Sequence, residues 1–127
     1  MLLIPTYLAR SLIDGIGAFT PLPIAKGTLL WEFNPAVDFK FTQVQFEQLP
    51  EPYRSRARVH AYIDDEGFYV LCGDNTKFLN HSNEPNCDDS GAQFIFAQRD
   101  IAAHEELTCD YKHMDHETWR RAVEGNS

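Results

Sequence analysis

The apolar segments of this chain are short, and turn-forming residues bound them. Four segments have the aromatic and β-branched composition of strands, and Gly, Asn, Asp or Pro residues lie at their ends: residues 29–33, 68–72, 94–98 and 106–109. Helical patterns are fewer. The sequence therefore predicts a mainly β fold with short helices.

Two helices are predicted from their capping residues. Thr42 and Gln45 have the spacing of a capping box, with phenylalanines at both staple positions and prolines soon after the helix. A second helix is predicted over residues 115–124, with Asp115 as its N-cap and Gly125 as its terminator. Residues 53–58 contain three arginines, which are typical of a solvated helical face.

Length and charge limit the functions that the chain can have. At 127 residues it has room for one domain, and a two-domain enzyme is excluded. Its 11 basic and 19 acidic residues give a net charge of −8, which disfavours direct binding of nucleic acid and favours a basic partner. The acidic runs at residues 64–66 and 88–89 are expected either to attract such a partner or to be solubilising loops.

The cysteines and the apolar stretches indicate the cellular compartment. Cys72, Cys87 and Cys109 are odd in number and contain no C-x-x-C pair, so they are interpreted as reduced thiols. No apolar stretch approaches the roughly 20 residues needed to span a bilayer, and no signal-like segment is present. A cytoplasmic protein, nuclear if the source is eukaryotic, with no membrane partner is expected.

Two polar segments suggest a ligand site. Residues 80–83 (Asn-His-Ser-Asn) lie between an apolar pair and Pro85, and amide and imidazole groups suit an amine or an adenine edge. The alternative is a network of Asx turns that satisfies its own backbone. Residues 15–17 (Gly-Ile-Gly) allow close approach of a ligand, or simply a β-turn. A dinucleotide fingerprint is excluded, because Thr20 occupies the position of its third glycine.

A third segment runs from Arg99-Asp100-Ile101 to residues 105–111 and ends in Tyr111. Taken alone, Tyr111 is a half-buried packing tyrosine. Taken together and in this order, the three segments resemble the SET-domain protein-lysine methyltransferases. The matching positions are Gly15 and Gly17, Asn80-His81-Ser82 with Pro85-Asn86, Arg99-Asp100-Ile101, and residues 105–111.

The resemblance implies a fold and a domain plan. It implies a β-clip architecture of small sheets with a C-terminal pseudoknot, in which the segment ending at Tyr111 threads beneath a loop. Residues 1–127 would form a single SET domain, with a core at about 6–112, an insert at about 34–67 and a lid helix at about 115–124.

The resemblance also implies a reaction and the residues that perform it. The reaction is methyl transfer from S-adenosylmethionine to a lysine of a basic protein or peptide, with Tyr111 as the catalytic residue that orients the amine. The implied cofactor-binding residues are Gly15, Ile16, Gly17, Tyr62, Asn80, His81 and Trp119, the last as part of the lid.

The sequence departs from the family pattern in two places. Cys109 stands where relatives usually have an aromatic ring, so we expect a roomier substrate channel that accepts more than one methyl group. Asn83 replaces a zinc-binding cysteine, and no C-x-C-x4-C follows the core, so we expect no metal. A mixed zinc site from Cys109, Asp110, His113 and His116 is the weaker alternative.

Two other functions remain open at this point. One is a catalytically inactive SET-like module that binds a basic protein. The other is a β-clip domain that binds a different small ligand. A homodimer is possible, but the apolar pattern does not indicate one.

Overall fold

The computed structural model describes residues 1–91 and 93–111, which contain ten strands and two α-helices. The predicted helix at 115–124, and Trp119 with it, lies outside the described residues. The strands are β1 (Tyr7–Arg10), β2 (Ile16–Phe19), β3 (Leu29–Glu32), β4 (Phe39–Phe41), β5 (Tyr62–Ile63), β6 (Tyr69–Leu71), β7 (Asn80–His81), β8 (Cys87–Asp88), β9 (Phe94–Ala97) and β10 (Thr108–Cys109). The helices are α1 (Gln43–Glu47) and α2 (Tyr53–His60), and a 3₁₀ turn covers Asn75–Phe78.

The strands form four small sheets, as expected. Three are antiparallel, with the orders β1-β2, β3-β9-β8 and β4-β6-β5, and the fourth pairs β7 with β10 in parallel. The strands predicted at 29–33, 68–72 and 94–98 are confirmed as β3, β6 and β9. The strand predicted at 106–109 is confirmed only at its last two residues. No helix among the described residues is both long and apolar enough to span a bilayer.

The parallel pair joins segments that are distant in the sequence. Asn80 lies opposite Thr108 and His81 opposite Cys109, and the N–H of Ser82 donates to the carbonyl of Cys109 over 2.9 Å. Because a tight turn cannot connect two parallel strands, the chain between β7 and β10 must form a longer crossover connection. This pairing places the polar segment at 80–83 beside the segment that ends at Tyr111.

Two apolar clusters stabilise these sheets. The larger one surrounds Trp31, which is fully buried, and lies between the sheets that contain β3, β6 and β10. The smaller one surrounds Phe46 of α1, whose ring stacks on Tyr69 with 4.4 Å between centroids. The predicted insert thus packs its helices on the β4-β6-β5 sheet and extends the core on one side.

The capping box of α1 is confirmed and carries a stability prediction. The hydroxyl of Thr42 accepts from the Gln45 N–H over 3.1 Å, and the Gln45 side chain accepts from the Thr42 N–H over 2.9 Å. We expect Thr42→Ala to lower the free energy of unfolding by about 1 kcal/mol, because the Gln45 N–H loses its acceptor at the start of a short helix. Urea titration measures the change. Thr42→Ser, which keeps the hydroxyl, should match the wild type, and equal stability of Thr42→Ala would contradict the capping role.

Candidate active site

The turn between β1 and β2 forms one side of the site. Gly15 has a φ of +50°, a conformation that residues with a Cβ rarely adopt, and its carbonyl accepts from the N–H of Ser11 over 2.8 Å. Gly17 is required for a different reason. A Cβ at this position would lie 2.2 Å from Oε2 of Glu106, so the missing side chain makes room for that carboxylate.

Asn80 is held by the protein through its amide nitrogen. Its Nδ2 donates to the carbonyl of Asp14 over 3.0 Å and to Oε2 of Glu106 over 2.9 Å, and the carbonyl of Ile16 lies at 3.4 Å. An amide nitrogen has two hydrogens, and both are directed at these acceptors. The orientation of the planar amide is therefore fixed, with its oxygen on the opposite side.

Glu106, to which the sequence motif alone assigned no role, holds two parts of the candidate site together. Both of its carboxylate oxygens accept from the hydroxyl of Ser11 over 2.9 Å, while Oε2 also accepts from Asn80. The carboxylate therefore ties the β1–β2 turn to β7. Both residues lie in the motifs noted above, Gly17 in the first and Glu106 in the third. Nothing in the sequence shows that they lie side by side, so the contact could not be predicted.

His81 connects β7 to Tyr111. Its Nδ1 accepts from the backbone N–H of Tyr111 over 3.1 Å, and its Nε2 lies 3.1 Å from Oδ1 of Asn83. Because Nδ1 accepts, the hydrogen of the neutral ring is on Nε2, which then donates to Asn83. The imidazole ring thus positions Tyr111. A ligand would therefore contact the backbone of His81 and not its ring.

Tyr111 lies directly beside β7. Its hydroxyl donates to the carbonyl of Leu79, and its ring centroid is 5.4 Å from that of His81. The hydroxyl and the backbone N–H are therefore both anchored on residues 79–81. The structure brings together Asn80, His81 and Tyr111, which the sequence predicted to form one site.

A cavity of about 70 Å³ adjoins Tyr111, and its lining includes no residue of the β1–β2 turn among those described. Its wall contains three large aromatic rings, those of Trp31, Tyr62 and Tyr111. Tyr62 packs edge-on against Trp31 with 6.5 Å between ring centroids. The remaining lining residues are Val59, His60, Ala61, Cys72, Thr76, Lys77, Leu79, Asp89, Ile95 and Cys109.

Aromatic and apolar side chains make up most of the cavity wall. Burial raises the pKa of the Tyr62 hydroxyl well above its usual range, so this phenol stays protonated. The Nε1–H of Trp31 is buried and has no hydrogen-bond acceptor among the described residues. Trp31, one of the residues that line the cavity, thus contains a polar group that the described part of the chain leaves unsatisfied.

Cys109 lines the same cavity as Tyr62 and Tyr111. A hydrogen bond with the thiol of Cys87, together with burial, raises the pKa of the Cys109 thiol, which stays neutral. Within residues 1–91 and 93–111, no group of three or more His, Cys, Asp or Glu side chains is placed to hold a metal ion. His113 and His116 lie outside the described residues.

The expectation for the two acidic runs is wrong at two positions. Asp64 is buried, caps a turn by accepting from the N–H groups of Glu66 and Phe68, and lies 3.3 Å from the ammonium of Lys40. Asp89 is 2% exposed and lines the aromatic cavity. Neither carboxylate is a solvated surface charge, because the tight turn at 64–68 and the end of β8 direct them inward.

Family models, curated proteins and solved structures that match this chain point to the same family. The SET-domain family model matches residues 15–112. The chain is 33% identical over 118 residues to the histone-lysine N-methyltransferase trr of Drosophila melanogaster, which covers 84% of this chain and 5% of that protein. It is 31% identical over 132 residues to the histone-lysine N-methyltransferase EZ2 of Zea mays, covering 94% and 14%.

A candidate histone-lysine N-methyltransferase of Plasmodium falciparum is 50% identical over 121 residues, covering 84% of this chain and 2% of that protein. The chain thus spans from 2% to 14% of the length of these three relatives. Among solved structures, a candidate histone methyltransferase of Plasmodium falciparum superimposes with a TM-score of 0.63 and 18% identity, covering 91% of this chain and 97% of that one. This last likeness is one of fold.

Proposed function

Because the chain belongs to the SET-domain family, we propose that it is a protein-lysine N-methyltransferase that uses S-adenosylmethionine to methylate a lysine of a basic protein. One observation carries the proposal. The parallel pairing of β7 with β10 brings Asn80, which contacts the β1–β2 turn, close to Tyr111, which lines the aromatic cavity. A two-substrate transfer needs such a shared boundary, since donor and acceptor must approach from opposite sides.

The turn side suits the cofactor. The amide oxygen of Asn80, turned away from its protein acceptors, would accept from the ammonium group of the cofactor's methionine part. S-adenosylmethionine supplies a methyl group activated by a sulfonium. Gly15, Ile16 and Gly17 would hold the cofactor through their backbone groups. Tyr62 and His81 remain predicted cofactor-binding residues. Trp119 remains one too, although it lies outside the described residues.

The cavity side suits the acceptor lysine. A free lysine has a pKa near 10.4, and an apolar channel lowers this value because burial disfavours the ammonium. The aromatic walls formed by Trp31, Tyr62 and Tyr111 provide this burial. The Tyr111 hydroxyl donates its hydrogen to the Leu79 carbonyl, so its oxygen is oriented as an acceptor that can align the amine. The net charge of −8 favours a basic protein, and histones are the substrates named for the relatives.

Calorimetric titration with S-adenosylmethionine and S-adenosylhomocysteine tests the cofactor site. We expect micromolar binding, on the order of −8 kcal/mol, and at least a tenfold loss in Asn80→Ala because the fixed amide acceptor is removed. Asn75→Ala is the matched control, since its side chain contacts Thr6 and lies outside the site. Absence of binding to the wild type would overturn the proposed cofactor.

A transfer assay then separates the enzyme from the inactive module. Histones and other basic proteins are incubated with methyl-labelled cofactor and the chain, and label on lysine is measured. Transfer supports the enzyme. Binding of the cofactor and of basic proteins without transfer would support the catalytically inactive module instead.

A further inference from the structure

Four residues at the β1–β2 turn form a closed ring of hydrogen bonds. The N–H of Asp14 donates to the hydroxyl oxygen of Ser11 over 3.2 Å, and that hydroxyl donates to the carboxylate of Glu106 over 2.9 Å. The Nδ2 group of Asn80 donates to the same carboxylate over 2.9 Å and to the carbonyl of Asp14 over 3.0 Å. The ring thus starts and ends at Asp14, and it joins three segments that are distant in the sequence.

Glu106 lies where two donors of this ring converge. Both Ser11 and Asn80 direct a hydrogen at its carboxylate, which can accept from the two at once. If the Asn80 amide were turned round, its oxygen would face the carboxylate and the carbonyl of Asp14. Both of these groups are acceptors, so the reversed amide would make neither bond. Glu106 therefore opposes rotation of the amide.

The position of the Glu106 carboxylate is itself restricted. A Cβ at Gly17 would lie 2.2 Å from Oε2 and 2.7 Å from Cδ, so the carboxylate lies directly against the backbone of β2. Glu105, one residue earlier, has a different partner, because its carboxylate pairs with the guanidinium of Arg99 over 2.9 Å. Of these two consecutive glutamates, Glu106 is the one that contacts Asn80.

We propose that Glu106 is a positioning residue that fixes the Asn80 amide, before any ligand binds, with its oxygen free to accept from the ammonium group of the cofactor. The proposal rests on the proposed function, since it names what orients an acceptor of that same site. The role requires an acceptor oxygen at position 106 and not a negative charge. An acceptor that is already oriented needs no ordering when the ligand binds, so Glu106 raises affinity without contacting the ligand.

Glu106→Ala and Glu106→Gln separate the acceptor from the charge. In calorimetric titrations we expect Glu106→Ala to lower the affinity for S-adenosylmethionine and for S-adenosylhomocysteine equally, because both have the same ammonium group. The expected loss is about tenfold, as for one hydrogen bond to a charged group. Glu106→Gln keeps an oxygen to which Asn80 can donate, so its affinities should stay within about twofold of the wild type. Glu84→Ala is the matched control, since it removes the same side chain at an exposed position.

A double-mutant cycle tests whether Glu106 acts through Asn80. The variant that combines Asn80→Ala with Glu106→Ala should bind the cofactor as Asn80→Ala alone does, because the group to be oriented is already missing. Losses that multiply would overturn the proposal, as would a Glu106→Ala variant that binds as the wild type does. A Glu106→Gln variant as weak as Glu106→Ala would show that the charge is required, and it would also overturn the proposal.

A further readout needs no cofactor. Nuclear magnetic resonance measures hydrogen exchange of the Asn80 side-chain amide, whose signals are assigned by their absence in Asn80→Ala. We expect slow exchange in the wild type and Glu106→Gln, and exchange at least about tenfold faster in Glu106→Ala. Equal exchange in all three would overturn the positioning role while leaving the methyltransferase proposal intact. Slow exchange in a wild type that binds neither compound would overturn the proposed cofactor and not the orientation of Asn80 by Glu106.

Discussion

Replacing Tyr111 with phenylalanine is expected to lower the rate of methyl transfer by about 100-fold, the typical effect of removing one preorganised polar group from a reaction centre. The substitution removes only the hydroxyl that donates to the Leu79 carbonyl. The ring keeps its place against His81, and the backbone N–H of residue 111 keeps its bond to the imidazole. The amine would then enter the same cavity without the oxygen that aligns it.

Cofactor affinity should be essentially unchanged in this variant. Asn80 and the β1–β2 turn are held by Glu106, and none of these contacts uses the Tyr111 hydroxyl. Single-turnover transfer and calorimetric titration on the same sample separate the two effects. Tyr53→Phe, on the exposed side of α2, is the matched control. A variant that lost cofactor affinity and rate together would show that the hydroxyl acts in the structure rather than on the amine.

Local features of this chain could be predicted from its sequence because their partners are a few residues apart. The capping box of Thr42 and Gln45 needs only the spacing of three residues and forms as predicted. The strands rich in aromatic and β-branched residues could be predicted from composition, although their partners are distant in the sequence, as with β3 and β9. Short strands such as β7 and β8 have polar sequences and were not predicted, because their pairing with distant segments determines their conformation.

The site illustrates the same limit. Asn80, His81 and Tyr111 were predicted as a group from their motifs, and the pairing of β7 with β10 confirms that they lie together. Glu106 was not assigned a role. Its sequence context is acidic and looks solvated, and only the close approach of Gly17 shows that its carboxylate is enclosed by the β1–β2 turn.

His104 shows how a tertiary contact can replace a local rule. It adopts a φ of 69° in the turn before residues 105–111, a conformation that favours glycine. Its Nδ1 lies 2.9 Å from the Tyr7 hydroxyl, and the two rings are 5.9 Å apart. This contact offsets part of the strain, which for a residue with a Cβ is about 1–2 kcal/mol. The turn it forms delivers Glu105 and Glu106 to β2.

Asn86 is expected to be the most sensitive position for stability. Its side chain is buried, its Nδ2 donates to the Glu106 carbonyl over 2.8 Å, and its Oδ1 accepts from the Thr108 N–H over 2.9 Å. The Asn86 amide thus bonds to the backbone of Glu106 and Thr108, in the segment that leads into β10. No apolar side chain provides both a donor and an acceptor at this place.

Asn86→Ala should lower the free energy of unfolding by about 4 kcal/mol, because two backbone groups in the interior lose their partners at about 1–3 kcal/mol each. This is a large share of the 5–15 kcal/mol that stabilises an ordinary domain. Because the lost bonds hold the segment carrying Glu106, cofactor affinity should fall with stability, unlike in Tyr111→Phe.

Urea titration of Asn86→Ala, beside Asn83→Ala as an exposed asparagine three residues earlier, measures this effect. Asn83→Ala should change stability by less than about 0.5 kcal/mol, the usual range for surface positions. Asn86→Asp keeps the acceptor but loses the donor and introduces a buried charge, so it should also be strongly destabilising. If Asn86→Ala matched the surface control, the two segments would be held together by the β7–β10 pairing and apolar packing alone, and the fixed position of Tyr111 beside Asn80 would not depend on this amide.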